Sequence, residues 1–285
     1  MTKRSLLFFA ALCACQAAPV PRIIFRAAPR AVPAAPRWTP EGMLRELLGP
    51  LMPQYVASAF THAGSGTCAT SFGNGFALCQ QKEVANGGSG ATVTATLGST
   101  MTAGHQALVF GFTCADSGCS TTSTSGITLT VADTNSDSHT QVTGGPFLVD
   151  VNHVQLTAWC FSSVTANSAF TVTATGGTPY YMTAAVSEWS GLTCTYDGTP
   201  AASFSASGVT SASASCGTTS NAVDLIVGFI ELGGGSVTAG SGFTQVGQDV
   251  TGIQSQGMSV SATGAQSSAW TFSSTTYQAE CMAVH

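Results

Sequence analysis

The sequence predicts an all-β protein, an antiparallel two-sheet β-sandwich of jelly-roll type, over residues 76–285. Apolar residues make up 44% of the 285-residue chain and charged residues only 7%, so a large core can be buried and disorder is disfavoured. Apolar and hydroxyl residues alternate along many short segments, and turns rich in glycine and serine separate them. Within residues 76–285, no segment of useful length has the 3.6-residue period of a helix. About nine to eleven strands are expected.

Two kinds of segment carry this prediction. Five segments alternate with period two and are expected to have one buried and one exposed face: 91–97, 127–131, 154–159, 170–174 and 258–262. Residues 106–112 and 223–230 are more continuously apolar. We therefore expect these two to be central strands that are covered on both faces.

The first eighteen residues are predicted to be an export signal. Lys3 and Arg4 precede an apolar stretch, 6–12, which is far shorter than the roughly 20 residues of a membrane-spanning helix. Residues 12–15, LCAC, are similar to a bacterial lipobox, which would make Cys15 a lipidated N-terminal residue and a membrane anchor. Ordinary cleavage after Ala17 is the alternative. A mitochondrial presequence is a third interpretation, because the segment to residue 37 contains arginines and no acidic residue.

A spacer is predicted between the signal and the folded body. Residues 19–57 are rich in proline, alanine and arginine, which favours an extended chain, and they contain one short amphipathic helix at 40–48. This helix either docks on the body or contacts a membrane or a partner. A lead-in rich in glycine, serine and threonine follows at 58–75.

The charge distribution excludes nucleic-acid binding by the body. Lys82 is the only lysine or arginine in residues 58–285, where eleven carboxylates are found. A surface with a single lysine cannot neutralise a row of phosphates.

The cysteines predict disulfides and an oxidising compartment. Residues 58–285 contain an even set without any C-x-x-C pair: Cys68, Cys79, Cys114, Cys119, Cys160, Cys194, Cys216 and Cys281. Disulfides between cysteines that are close in sequence are the simplest to propose: Cys68 with Cys79, Cys114 with Cys119 and Cys194 with Cys216. This leaves Cys160 for Cys281. Other pairings stay open, because eight cysteines allow 105 arrangements.

Five segments occur in an order that resembles a known kind of domain. They are GHQALVFGF (104–112), VADTNSDSH (131–139), AVSEWSGL (185–192), VDLIVGF (223–229) and AGSGFTQV (239–246). They are similar to the strands and turns of a β-sandwich domain found in many uncharacterised secreted bacterial proteins, and the resemblance covers about 77–285. It implies export and a sandwich fold and carries over no active-site residue. The density of cysteines departs from that family.

One loop has the composition of a calcium site. Asp133, Asn135 and Asp137 place oxygen ligands on alternate residues, as calcium-binding loops do. The loop lacks the glycine and the distal glutamate of an EF-hand loop. A hairpin turn is the alternative, because Asp and Asn also favour turns by capping backbone groups.

Two sets of residues are candidates for the hydrolysis or the binding of sugars. Glycoside hydrolysis needs two facing carboxyl groups, for which Glu188 with Asp150 or Glu231 is the candidate. Sugar binding would use the rings of Trp159 and Trp189. The alternation of 154–159 predicts that Trp159 is exposed or lies under a loop.

The sequence contains no complete catalytic motif, so we expect a non-catalytic exported protein. Its expected role is structural or adhesive, at the bacterial surface or in extracellular matrix. Self-association and cell-surface components are the expected partners, and the N-terminal tail would allow polymerisation by adding a strand to a neighbour's sheet. The alternatives are a carbohydrate-binding module and a glycosidase-like enzyme.

Overall fold

The structure is a computed structural model that describes residues 68–87, 90–116, 119, 122–149, 153–250 and 252–285. These residues form seventeen β-strands and no helix, and all strand pairings are antiparallel. The antiparallel all-β prediction is confirmed for this part of the chain, although the strands outnumber those expected. The predicted signal, spacer, short helix and Cys15 lie outside the described residues, none of which forms a helix able to cross a membrane.

The strands are numbered in chain order. They are β1 (Thr70–Gly73), β2 (Phe76–Gly87), β3 (Thr92–Thr96), β4 (Gln106–Cys114), β5 (Thr128–Asp133), β6 (His139–Gln141), β7 (Phe147–Val149), β8 (Val154–Phe161), β9 (Ala169–Thr175), β10 (Tyr181–Ser190), β11 (Tyr196–Asp197), β12 (Ser203–Thr219), β13 (Asp224–Leu232), β14 (Val237–Ala239), β15 (Thr244–Gly247), β16 (Ile253–Val260) and β17 (Gly264–Val284).

The described strands form three sheets, where the sequence predicted two. The central sheet has the order β1-β2-β10-β4-β8-β6, and β7 also pairs with β8. The C-terminal sheet has the order β11-β17-β13-β16-β15, and β12 and β14 also pair with β17. The threonine sheet has the order β3-β9-β5.

The inner strands of the central sheet are buried on both faces. Along β4, Leu108 and Phe110 belong to a hydrophobic cluster shared with the C-terminal sheet, and the ring of Phe110 stacks on that of Phe229 with centroids 5.3 Å apart. Val109, which points the other way, belongs to a cluster shared with the threonine sheet. All residues of β4 and β13 are buried, which confirms that these two segments are central strands.

Strand β8 corrects a prediction. The alternation of 154–159 predicted one exposed face, but every residue of β8 is buried. Trp159 lies over Gly111 of the neighbouring β4 and beneath β9. A Cβ atom at Gly111 would be 2.9 Å from the Trp159 ring and 3.2 Å from Val172. Alternation shows that the two faces of a strand differ, but it does not show whether another sheet covers the more polar one.

The long strand β17 joins two parts of the C-terminal sheet. Its second half pairs with β13, its first half pairs with β14, and β12 pairs with both halves. Trp270 of the first half shares a hydrophobic cluster with Ile226 of β13 and with Cys281 of the second half, so β17 bends back over β13. Gly228 makes this approach possible, because a Cβ atom there would lie 2.7 Å from Trp270 and closer still to the Ser268 hydroxyl.

Four disulfides connect the described cysteines: Cys68–Cys79, Cys114–Cys119, Cys160–Cys194 and Cys216–Cys281. The first two confirm the predicted local pairs, but the predicted pairs Cys194–Cys216 and Cys160–Cys281 are wrong. Cys160 lies in the cluster between the central and C-terminal sheets, whereas Cys281 points to the opposite side of the C-terminal sheet. The sheet itself therefore keeps these two residues apart.

We expect Gly228→Ala to destabilise the protein by about 1–3 kcal/mol, because the added methyl group overlaps the first half of β17. Gly98→Ala is the matched control, since a Cβ atom at Gly98 has nothing within 4 Å. Its effect should stay within about 0.5 kcal/mol. Urea unfolding of both variants measures the difference, and equal stabilities would contradict the bent path of β17.

Mass mapping of unreduced peptides should recover Cys160 linked to Cys194 and Cys216 linked to Cys281. A peptide that links Cys194 to Cys216 would overturn the assignment of these two cysteines to opposite sides of the C-terminal sheet.

Candidate functional site

The outer face of the threonine sheet carries threonines from all three of its strands. Apolar residues such as Val93, Val131 and Val172 point inward to the cluster shared with the central sheet. The residues between them point outward. Eight of these are threonines, which together we call the threonine face: Thr92, Thr94, Thr96, Thr128, Thr130, Thr171, Thr173 and Thr175.

The strand register places these threonines side by side. Thr173 on the middle strand pairs with Thr92 on one side and with Thr130 on the other. Thr171 pairs with Thr94, and their hydroxyl oxygens are 2.9 Å apart. Rows of this kind repeat about every 6.8 Å along the strands, and neighbouring strands are about 4.8 Å apart. The hydroxyl and methyl groups thus form a two-dimensional array.

The threonine face is uncharged. Its outward positions hold only threonine and alanine, and the charged residue of these strands, Asp133, lies at the end of β5. Six carboxylates of the body are buried elsewhere: Glu83, Glu188, Asp197, Asp224, Glu231 and Glu280. A ligand of this face would be held by hydrogen bonds and shape rather than by charge, and the β-branched threonines lose little rotamer freedom on contact.

The loop after β5 uses its acidic groups to hold a neighbouring loop. Asp133 accepts hydrogen bonds from the Asp137 backbone N–H and from the Asn167 side chain, both at 2.8 Å. Asp137 accepts from the backbone N–H and the hydroxyl of Thr165, both at 2.7 Å. Asn135 donates to the Thr165 carbonyl oxygen at 2.9 Å. All four carboxylate oxygens have partners from the chain itself, which is the arrangement that the turn interpretation expects.

The two candidate tryptophans are both buried, so the predicted exposure of Trp159 is wrong. Trp159 is 3% exposed and lies beneath the threonine sheet, for the reason given above. Trp189 is fully buried, packs edge-on against Phe72 with ring centroids 4.9 Å apart, and donates its indole N–H to Ser187 at 2.7 Å. Neither ring offers a stacking surface to a sugar in solvent.

The candidate glycosidase carboxyl groups do not face each other. Glu188 shares its side of β10 with Val186, which packs towards the threonine sheet. Glu231 lies near Thr183 and Tyr181, on the opposite side of β10. Asp150 lies outside the described residues.

Glu188 instead forms a buried pair with His105. Its Oε1 atom is 2.7 Å from His105 Nδ1 and accepts a hydrogen bond from the Thr102 backbone N–H at 2.8 Å. The Gln80 amide donates to Oε2 at 2.6 Å. The same His105 nitrogen is 3.5 Å from Cys79 Sγ. No sequence pattern indicated this pair, because 83 residues separate its members.

Burial raises the pKa of several carboxyl groups in the interior. Burial raises the pKa of Glu280 to about 8, and neither of its carboxylate oxygens has a hydrogen-bond partner among the described residues. Burial also raises the pKa of Glu83 to about 7, although Ser255 donates to its carboxylate. The pKa of Glu231 is raised well above its usual value for the same reason. The interior therefore carries less charge at neutral pH than the composition implies.

Comparison with protein-family models, with curated proteins and with solved structures found no match to this chain. The fold and the surfaces described above are therefore the basis of the functional assignment.

We expect the protein to be more stable near pH 5 than near pH 9. The unfolded chain titrates Glu280 near 4.5, whereas the folded chain titrates it near 8. The contribution of Glu280 to the free energy of unfolding is complete below the lower value and is lost as the pH rises through the higher one, by up to roughly 5 kcal/mol. Glu280→Gln should remove the part of the fall that Glu280 contributes and leave the parts that come from Glu83 and Glu231, as urea unfolding at several pH values would show.

Asp249→Asn is the control for this measurement. Burial opposes ionisation of Asp249, but hydrogen bonds from the Glu83 backbone and from Lys82 outweigh it and lower the pKa. Its contribution is therefore lost only in acid, and this variant should keep most of the fall in stability between pH 5 and pH 9. A Glu280→Gln variant with an unchanged pH dependence would contradict the assignment.

Proposed function

We propose that this protein is an exported, non-catalytic β-sandwich protein with an adhesive role at the bacterial surface or in extracellular matrix. Its threonine face contacts a neutral, hydroxyl-rich polymer of that surface. The observation that carries this proposal is the uncharged array of eight threonines on an exposed sheet face.

The strength of single hydrogen bonds supports an array rather than a pocket. One hydrogen bond contributes about 0.5–1.5 kcal/mol after exchange with water, while micromolar binding requires about 8 kcal/mol. Many weak contacts must therefore act together. A polymer with regularly repeated hydroxyl groups provides them, and the stiff threonine side chains reduce the entropy lost on binding.

The disulfides support export. Four disulfides within one chain persist in oxidising compartments and are rare in the cytosol. They agree with the signal proposed for residues 1–18, where lipidation of Cys15 would supply an anchor.

The buried tryptophans count against sugar binding by ring stacking, and the separated acids count against glycoside hydrolysis. A carbohydrate-binding module that stacks sugars on Trp159 or Trp189 needs rings that solvent reaches, and both rings are buried. A glycosidase needs two carboxyl groups across one cleft, but Glu188 and Glu231 lie on opposite sides of β10. Recognition of a neutral polysaccharide by hydroxyl groups requires neither arrangement.

Pull-down of the full chain on insoluble cellulose, chitin and β-1,3-glucan tests this proposal. We expect binding to at least one of these polymers, unchanged when sodium chloride rises from about 0.05 to about 0.5 M, because no charge is involved. Thr173→Lys places an ammonium group at the centre of the threonine face and should reduce binding about tenfold or more.

Thr271→Lys is the matched control, since Thr271 is also an exposed strand residue but lies in the C-terminal sheet. It should bind as the unmodified chain does. Equal losses in both variants, salt-sensitive capture by an acidic polymer such as alginate, or no capture by any neutral polymer would each overturn the proposal.

A further inference from the structure

Three side chains of types that commonly bind metals lie close together at the start of the central sheet. Cys68, Cys79 and His105 bring their ligand atoms within 4.8 Å of one another, and they are the one such group of histidine, cysteine or acidic residues found in the described part of the chain. Cys68 and Cys79 form a disulfide in this structure. None of the three residues belongs to the threonine sheet.

The histidine of this group is held in place before any metal binds. His105 is 2% exposed, and its Nδ1 atom lies 3.5 Å from Cys79 Sγ. Glu188 contacts the same nitrogen and is itself fixed by the Thr102 backbone and the Gln80 amide. Glu188 contacts the nitrogen that faces the cysteines, so it lies close enough to become a ligand of a metal bound there.

The Cys68–Cys79 disulfide is also among the more accessible ones. Both of its cysteines are only partly buried, whereas Cys160, Cys216 and Cys281 are fully buried. A reductant in solvent therefore reaches Cys68–Cys79 without unfolding the core, and of the remaining disulfides only Cys114–Cys119 has a partly exposed member.

Opening this disulfide would not separate the two sulfur atoms by much. Strands β1 and β2 are also joined by backbone pairing of Thr70 with Leu78 and of Ser71 with Ala77, which does not depend on the disulfide. Phe72 of β1 is also anchored by its contact with the buried ring of Trp189. The hairpin thus keeps both cysteines beside His105.

We propose that reduction of the Cys68–Cys79 disulfide by a dithiol creates a zinc site. The dithiol delivers two electrons and two protons, the S–S bond breaks to give two thiols, and the dithiol becomes a disulfide. Zinc then binds Cys68 Sγ, Cys79 Sγ and His105 Nδ1, which releases the two thiol protons to solvent and places the imidazole proton on Nε2. The carboxylate of Glu188, 2.7 Å from Nδ1, takes the fourth position.

The ligand set selects the metal. Two thiolates, an imidazole and a carboxylate suit tetrahedral Zn²⁺, while Ca²⁺ and Mg²⁺ prefer sites made only of oxygen. The negatively charged ligands offset the charge of the ion, which matters at a site where His105 and Glu188 are shielded from water. Cys68 and Cys79 cannot form a disulfide and bind zinc at the same time. The redox state of these two cysteines therefore controls whether zinc binds.

Cobalt(II) is the probe for this site, because thiolate ligands and tetrahedral geometry give it visible absorption bands. The full oxidised chain is reduced with dithiothreitol without denaturant, freed of reductant under anaerobic conditions and titrated with cobalt. We expect about one tetrahedral cobalt per reduced chain, displaced by zinc, and none in the oxidised chain. His105→Gln and Glu188→Gln should each weaken binding about tenfold or more.

Two double variants separate this site from general thiol chemistry. Cys68→Ser with Cys79→Ser should abolish the cobalt bands. Cys114→Ser with Cys119→Ser is the matched control, because it removes another short-range disulfide and should leave the bands unchanged. Bands that survive the first pair of substitutions, or vanish with the second pair, would refute the proposed ligands.

A further measurement needs no substitution. Zinc should protect Cys68 and Cys79 of the reduced chain from alkylation by iodoacetamide and leave Cys119 reactive, which peptide mass spectrometry can read residue by residue. Equal alkylation with and without zinc would overturn the proposal. Because polysaccharide binding is measured on the oxidised chain, failure of either proposal leaves the other unaffected.

Discussion

Burial of both faces of the inner strands of the central sheet is the constraint on which the rest of this structure depends. All residues of β4 and β8 are buried, so each face must be covered by another layer. The C-terminal sheet covers one face through contacts such as Phe110 on Phe229. The threonine sheet covers the other and presses Trp159 onto Gly111. Each large side chain buried in this way contributes about 1.5–3 kcal/mol.

The same double burial separates polar groups into two populations. Inside, Glu280 and Glu231 have raised pKa values because the layers exclude water, and Glu188 is kept beside His105 by hydrogen bonds. Outside, the layer that covers the central sheet needs only one apolar face, so its other face is free to carry threonine. The covering role of the threonine sheet and its uncharged surface thus have one origin, the period-two geometry of a strand.

Period-two alternation correctly predicted the buried and exposed faces of strands that have one solvent-facing side. It did not do so for strands that are covered on both sides. It correctly assigned the segments that became β3, β5 and β9, since solvent contacts one side of each. It was wrong for β8, where Gln155 and Thr157 are buried beneath another sheet. Sequence distance correctly paired Cys68 with Cys79, but it was wrong for Cys160 and Cys281, which a whole sheet separates.

By itself, the sequence determined an antiparallel all-β body with paired cysteines, because alternation, turn composition and cysteine number are local or additive properties of the chain. The tertiary structure alone decided which strands adjoin. It put Thr92 and Thr130 on either side of Thr173 and brought His105 to Glu188 and Cys79. These contacts join residues far apart in the chain, and they depend on sheet order and on which faces are covered, which no local pattern encodes.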